Sequence, residues 1–416
     1  MKKKIIITGI ILGVLILAFV LSSCTNNDKS YSSEIVNIST TYGSSITTTY
    51  GSSVTINSSL ADGSGIAACL IEEGKFLVIY SSFSSGGSIR GCIVTPSGDK
   101  SFTVSGDVEL VSGVYFGDGS SAPDIVKVDD GKFIIAGKVY DSAWKSYAYA
   151  ISVSGDTISI GAKYEFYAGE TRGAHLAKID TDKAVLGYQY ASTYYGRVLS
   201  VSGTTVSGGS EVSLGYTGGK AGGVARLEDN KVLFIYNANS ATSFERRVGN
   251  ISETTITLAG SATDMAADMW LRPRVFYIQD NKVGVIGYDN SQHWEVMILT
   301  SSGDTVTEGS WTELLNSSSY QDYPGGNGVG TDKFIVAVSD WDTNGKADTG
   351  NISTRTITFE GNSSIENFSR AYVSNGDQYR TLIVGREHTS DRFLGYIAEY
   401  KTPPSTATGA FFQFFQ

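Results

Sequence analysis

Apolar residues in this chain fall in short runs rather than at helical spacing, and the runs recur. In Glu73-Gly74-Lys75-Phe76-Leu77-Val78-Ile79-Tyr80 a turn ending in a basic residue opens a stretch of β-prone residues. Asp229-Asn230-Lys231-Val232-Leu233-Phe234-Ile235-Tyr236 repeats it. The basic residues are Lys75, Lys132, Lys183, Lys231, Lys282, Lys333 and Arg380, at steps of 57, 51, 48, 51, 51 and 47 residues. A second turn starts 19 to 22 residues after each of the first six: Ser97-Gly98-Asp99, Ser154-Gly155-Asp156-Thr157, Ser202-Gly203-Thr204-Thr205, Ser252-Glu253-Thr254-Thr255, Ser302-Gly303-Asp304-Thr305 and Ser353-Thr354-Arg355-Thr356. Gly, Asp and Ser supply the positive φ and local hydrogen bonds of a tight hairpin, and the alternation in Tyr147-Ala148-Tyr149-Ala150-Ile151-Ser152-Val153 reads as strand.

Two hairpins per repeat predict a four-stranded antiparallel sheet. In the fourth repeat the strands a to d are expected at 222–228, 231–237, 245–251 and 255–260, and nothing between 60 and 416 reads as a long amphipathic helix. A sheet with two apolar faces cannot bury both alone, so radial stacking into a ring is the stable solution, and a period near fifty fits one blade. The expected fold is all-β, a seven-bladed β-propeller over 43–416. In the last repeat Lys401-Thr402-Pro403-Pro404 stands where the second turn belongs, and proline cannot donate to a ladder. Gly51-Ser52-Ser53-Val54-Thr55-Ile56 copies Gly155-Asp156-Thr157-Ile158-Ser159-Ile160, so an N-terminal strand at 50–58 is expected to close the ring. Gly43-Ser44-Ser45-Ile46-Thr47-Thr48 and the terminal Phe411-Phe412-Gln413-Phe414-Phe415 compete for the same slot.

The first residues carry a different signal. Lys2-Lys3-Lys4 precede an apolar stretch from Ile5 to Val20, and Leu21-Ser22-Ser23-Cys24 ends it. This resembles the lipobox of bacterial lipoproteins, which implies export, removal of residues 1–23, lipidation (palmitate labelling) of Cys24 and membrane anchoring. Thr25 after the cysteine, where an inner-membrane retention signal has Asp, favours the outer membrane in a cell that has one. Residues 24–42, rich in Ser, Thr and Asn, read as a tether.

Loss of residues 1–23 removes three lysines and no acids, which moves the formal charge from −10 to −13. Such a field repels nucleic acid, so no DNA or RNA partner is expected. Cys69 and Cys92 fall on strands a and c of one sheet with a strand between them, too far apart for a disulfide, and read as buried thiols.

In an up-and-down sheet the short a–b and c–d turns share one end, and the b–c and d–a connections, which differ in every repeat, share the other. Variable loops on a rigid frame are where binding sites are built. The candidate ligand-binding residues are Trp144, Tyr194, Tyr195, His293, Trp294, Trp341, Arg386 and His388 from b–c connections, with Arg172, Trp270, Arg272 and Arg274 from d–a connections. Each aromatic taken singly could equally pack against a neighbouring sheet.

Asp340-Trp341-Asp342-Thr343-Asn344-Gly345-Lys346-Ala347-Asp348 puts side-chain oxygens at Asp340, Asp342, Asn344 and Asp348, with a carbonyl at Lys346. The spacing resembles the calcium loops of integrin-type propeller repeats and half an EF-hand, which implies calcium as the candidate ion. Asn351 stands where an EF-hand has its bidentate Glu, and the competing reading is an Asx-turn hairpin. His175, His293 and His388 come from three separate repeats and are not expected to share a metal. The chain has no Gly-x-Ser-x-Gly elbow and no His-Glu-x-x-His, and Gly63-Ser64-Gly65-Ile66-Ala67-Ala68 precedes no helix.

The repeats are similar to those of bacterial and phage-associated proteins with the pattern Lys-Phe-Val-Val-x-Tyr followed by Ser-Gly-Thr-Thr-Ile-x-x-Gly, over most of 67–400. That resemblance implies a fold and no activity. The expected function is a lipid-anchored recognition module for a glycan, a peptide or an envelope protein, more a binder than an enzyme. A polysaccharide hydrolase or lyase with His175 and Arg272 at the channel mouth is the alternative, and a structural envelope scaffold is a third reading.

Overall fold

The computed structural model describes residues 47–401 except 51–53, 58–64, 83–86, 98–100, 106, 118–121, 217–221, 238–242, 266–272, 290, 292, 317–323, 331, 340–344, 354–355, 360–362, 366–367, 375–379 and 388–392. The signal, the tether, residues 43–46 of the rival closing segment at 43–48 and the C-terminal phenylalanines lie outside the described residues. Thr48–Lys401 form one compact unit.

All described elements are strands or turns, gathered into seven antiparallel sheets in chain order. The first strand of each sheet contacts the first strand of the next, and Phe368–Val373 of the seventh returns to Ile66–Glu72 of the first, so the sheets form a closed series around those inner strands. The fourth sheet matches the sequence expectation closely, with strands Gly223–Glu228, Lys231–Asn237, Phe244–Ser252 and Thr255–Asp264. Its last strand runs four residues past the expected end.

Elsewhere the outer strand is split in two, as in Thr157–Ile160 and Tyr164–Tyr167, both paired with Ala143–Ser154. The break coincides with the last glycine of the repeat pattern. A Cβ on Gly161 would lie 1.7 Å from the Thr204 carbonyl oxygen, and one on Gly209 would lie 2.0 Å from that of Thr254. Both carbonyls belong to the second turn of the following sheet, so these glycines let one sheet seat against the next.

The repeated lysine has a matching task. Lys75 lies 3.4 Å from Asp156, Lys132 3.1 Å from Asp182 and Lys231 3.2 Å from Asp304, and Lys282 pairs with Asp332. Each tie runs from one sheet to a turn of the next. Between the ties, alternate residues of the second strand serve different cores. Phe133 and Ile135 pack with Leu77 and Ile93 of the first sheet, whereas Ile134 and Ala136 pack with Leu186 and Leu199 of the third. Cys69 and Cys92 are buried free thiols of the first sheet.

The seventh sheet takes its outer strands from the N-terminus. Val54–Asn57 pairs with Phe393–Lys401 through Val54 opposite Gly395 and Thr55 opposite Leu394, and Thr47–Tyr50 joins the same strand. Val54–Asn57 of the expected closing segment and Thr47–Thr48 of its rival thus both lie on strands that pair with Phe393–Lys401.

Candidate functional site

Asp124, His175 and Arg274 each stand eight residues before a repeat lysine, and each pairs with the residue four past that lysine: Ala136, Gly187 and Ile286. The three therefore occupy one layer of the inner strands, at the end nearer the variable connections. Arg274 Nη2 donates to Asp124 at 3.3 Å, and Nη1 contacts His175 Nδ1. His175 Nδ1 also lies 3.6 Å from the Asp124 carboxylate. Asp124 also accepts from the Leu176 amide at 2.8 Å and from the Ile125 amide at 3.1 Å. The fourth sheet, between His175 and Arg274, has Gly223 in this layer, opposite Ile235. A Cβ there would lie 2.8 Å from Val275 Cγ2, so this glycine lets the fourth inner strand seat against the fifth.

Below this layer lies a cavity of about 330 Å³, bounded by the inner strands of five sheets and Val373 of a sixth. Asp124 is the single carboxylate among its described lining residues, which also include Lys178, Arg226 and Arg274.

A second cluster lies at the b–c end of the second and third sheets. Tyr167, Tyr190 and Tyr195 form a stack with ring centroids 4.0 Å and 4.4 Å apart and interplanar angles of 20° and 6°. All three are half-buried. A hydrogen bond to Tyr195, with burial behind it, pushes the Tyr190 hydroxyl up to about 12. Behind the stack, Tyr188 donates to Glu211, which lies 3.4 Å from Arg197. The tight turn that carries the stack has Ala191 and Ser192 at positive φ.

Next to it, Tyr115 stacks on Tyr140 at 5.2 Å, and Trp144 meets both edge-on at 5.7 Å and 5.2 Å. Lys138 stands 4.2 Å from the Trp144 ring centre and 3.7 Å from Glu170. The pairing of Tyr115–Phe116 with Val139 and Tyr140 brings Tyr115 here.

The sequence candidates divide accordingly. Trp144 and Tyr195 sit in the aromatic clusters, and Arg274 and His175 in the channel layer. Tyr194 and Trp294 are core residues rather than contact residues: Tyr194 stacks on Tyr236 at 5.7 Å, and Trp294 packs on Tyr288 at 5.1 Å. Tyr194 and Tyr195 are neighbours on one strand, so they face opposite sides of the sheet. His293 takes the Asp289 carboxylate on its amide at 2.7 Å, within its own turn. Arg172 is exposed at the start of the third sheet.

Arg386 lies on Arg380–Glu387 opposite Phe393, while Trp270, Arg272, Trp341 and His388 fall outside the described residues. So do Asp340, Asp342 and Asn344 of the calcium-like loop; Lys346 and Asp348 stand on strand Gly345–Ser353, opposite Val338 and Val336. Among the described residues no group of three or more His, Cys, Asp or Glu is placed to hold a metal ion. Asp124, Tyr115, Tyr140, Tyr167 and Tyr190 are additions to the sequence candidates. The repeat phase of Asp124, shared with His175 and Arg274, is the signal that finds it.

No protein-family model matches the chain, and no curated protein does. Solved structures do. A putative 6-phosphogluconolactonase from Bacteroides fragilis is 10% identical over 77% of this chain and 94% of its own, with a TM-score of 0.53. A fucose-specific lectin from Aleuria aurantia is 13% identical over 74% of this chain and 97% of its own, at 0.47. The Trypanosoma rangeli sialidase in complex with the inhibitor DANA is 14% identical over 70% of this chain and 56% of its own, at 0.44. At such identities the likeness is one of fold. The described residues are all-β, and their sheets close in a propeller-like series.

Proposed function

We propose that the chain is a seven-bladed recognition propeller that binds a glycan at its b–c end, on the second and third blades. The observation that carries this reading is the half-buried Tyr167–Tyr190–Tyr195 stack beside the Tyr115–Tyr140–Trp144 cluster. Pyranose C–H faces pack on the uncovered faces and edges of such clusters, which Tyr190, sandwiched between Tyr167 and Tyr195, holds together, and the rim supplies polar partners for hydroxyls in Lys138, Glu170, Lys145 and Glu165. The short turn and the bonded hydroxyls hold the rings in place before binding, so little ordering cost remains. A glycan panel probed with residues 25–416 tests it. Retention of at least one glycan is expected, with affinity at least tenfold lower in Tyr190→Ala and in Trp144→Ala. Retention of none, or retention that ignores both substitutions, refutes it, and a peptide or envelope-protein ligand on the same rim is then the next reading.

The hydrolase or lyase reading is less well supported. Glycoside hydrolysis by paired carboxylates needs two groups about 5 to 9.5 Å apart. Of the described residues lining the channel cavity, the one carboxylate, Asp124, is already bound by Arg274 and two amides.

The proposal includes a lipid anchor at Cys24 and an extracytoplasmic address, outer membrane where there is one, on the strength of Leu21-Ser22-Ser23-Cys24. Cys24→Ala should abolish palmitate labelling and leave an unprocessed precursor; equal labelling of the variant refutes the anchor. Calcium at Asp340, Asp342, Asn344, Lys346 and Asp348 is proposed from the same sequence. Millimolar calcium should raise the melting temperature, and Asp340→Ala with Asp342→Ala should erase the shift.

A further inference from the structure

We infer that the channel cavity binds a small oxyanion, a carboxylate or a phosphate, through Lys178 and Arg226. The two residues sit in one layer on adjacent inner strands, Lys178 opposite Ala184 and Arg226 opposite Val232. Both line the cavity of about 330 Å³, a space sized for a small acid. Its lining carries three cations, Lys178, Arg226 and Arg274, against the one carboxylate of Asp124, in a chain whose formal charge is −10. Asp229 and Asp280, outside that lining, pair with Arg226 at 2.8 Å and 3.1 Å, so Lys178 is the lining cation with no carboxylate at ion-pair distance among the described residues.

Arg274 is held by Asp124 and the Arg226 Nη2 by two carboxylates, which leaves the Lys178 ammonium and the Arg226 Nε. Arg226 Nη2 reaches Asp229 and Asp280, but its Nε is buried without a hydrogen-bond partner. The Tyr277 ring, 5.6 Å from the guanidinium carbon, fixes its plane. Among the described residues no carboxylate lies within ion-pair distance of Lys178; Asp129 feels its charge only across the gap. A cation and an unused N–H on adjacent strands are the two donors that an oxyanion takes, and a charge-assisted bond to each is the strong kind. The site is separate from the aromatic rim and does not depend on the glycan reading.

Isothermal titration of the full chain with inorganic phosphate and with citrate, at ionic strength held constant with chloride, tests the site. One saturable site is expected for at least one probe, weakened at least tenfold by Lys178→Gln and by Arg226→Gln and restored by Lys178→Arg. Preference for citrate assigns a carboxylate, and preference for phosphate assigns a phosphate. Should a variant fail to melt cooperatively, protection of Lys178 from reductive methylation by the bound probe takes its place. No saturable heat with either probe, unchanged affinity in Lys178→Gln, or equal methylation with and without probe overturns the inference.

Discussion

Arg274 lies 3.3 Å from Asp124, although 150 residues separate them and two other sheets intervene. The contact is a cross-tie over the channel. Both side chains are largely buried, at 17% and 6% exposed.

Asp124→Ala removes the carboxylate partner of Arg274 and the acceptor of the Leu176 amide, and breaking a buried pair from one side costs about 3–5 kcal/mol. Denaturant melts should show that loss. Asp124→Ala combined with Arg274→Met should recover part of it, since no buried charge is then stranded. A double variant less stable than Asp124→Ala alone would contradict this account.

The repeat lysine and the residues beside it should behave differently. Lys132 and its partner Asp182 are about a third exposed, and solvent screening leaves such pairs little weight in stability. Ile134, fully buried between the second and third sheets, should cost about 2–5 kcal/mol as Ile134→Ala. The lysine therefore sets the seating of one sheet on the next more than its stability, and a double-mutant cycle on Lys132 and Asp182 measures this directly.

Burial pushes the Cys69 and Cys92 thiols up to about 12, so the reactive thiolate is scarce at neutral pH. Neither should react with Ellman's reagent in the native protein, and both should do so in guanidinium. Prompt reaction of either in native buffer would place it nearer solvent.

Deleting residues 43–58 removes the partner of Phe393–Lys401 and exposes an unpaired edge, so aggregation or a lower melting temperature is expected. Deleting 25–35 should leave both unchanged. A normal melt of the first deletion would show that the closing strand is dispensable.

Sheet formation was legible because turn and strand signals recur at one phase, and Val54-Thr55-Ile56 could be assigned as a closing strand because it copies an outer strand elsewhere. Position within a strand was less legible. Tyr194 and Tyr195 look alike in sequence, and only their register, opposite Gln189 and Tyr188, assigns one to the core and the other to the stack. Tyr140 and Tyr190 end second strands that read as ordinary core runs. Their exposure follows from the tight turns after them, at Ser142 and at Ala191-Ser192 with positive φ, and residue types such as Ser and Ala do not announce that conformation. The channel layer joins residues of three repeats, a relation visible only once the repeats are aligned on their lysines.

Val54 and Gly395 lie far apart in the chain, yet they are partners in one ladder. The sheet they share is the one unit of the fold that no partial chain can assemble. Six sheets can form as they emerge, but a chain stopped before residue 393 keeps two open edges, one on each side of the gap. The seam thus makes the closure of the whole series depend on a single pairing between segments distant in the chain.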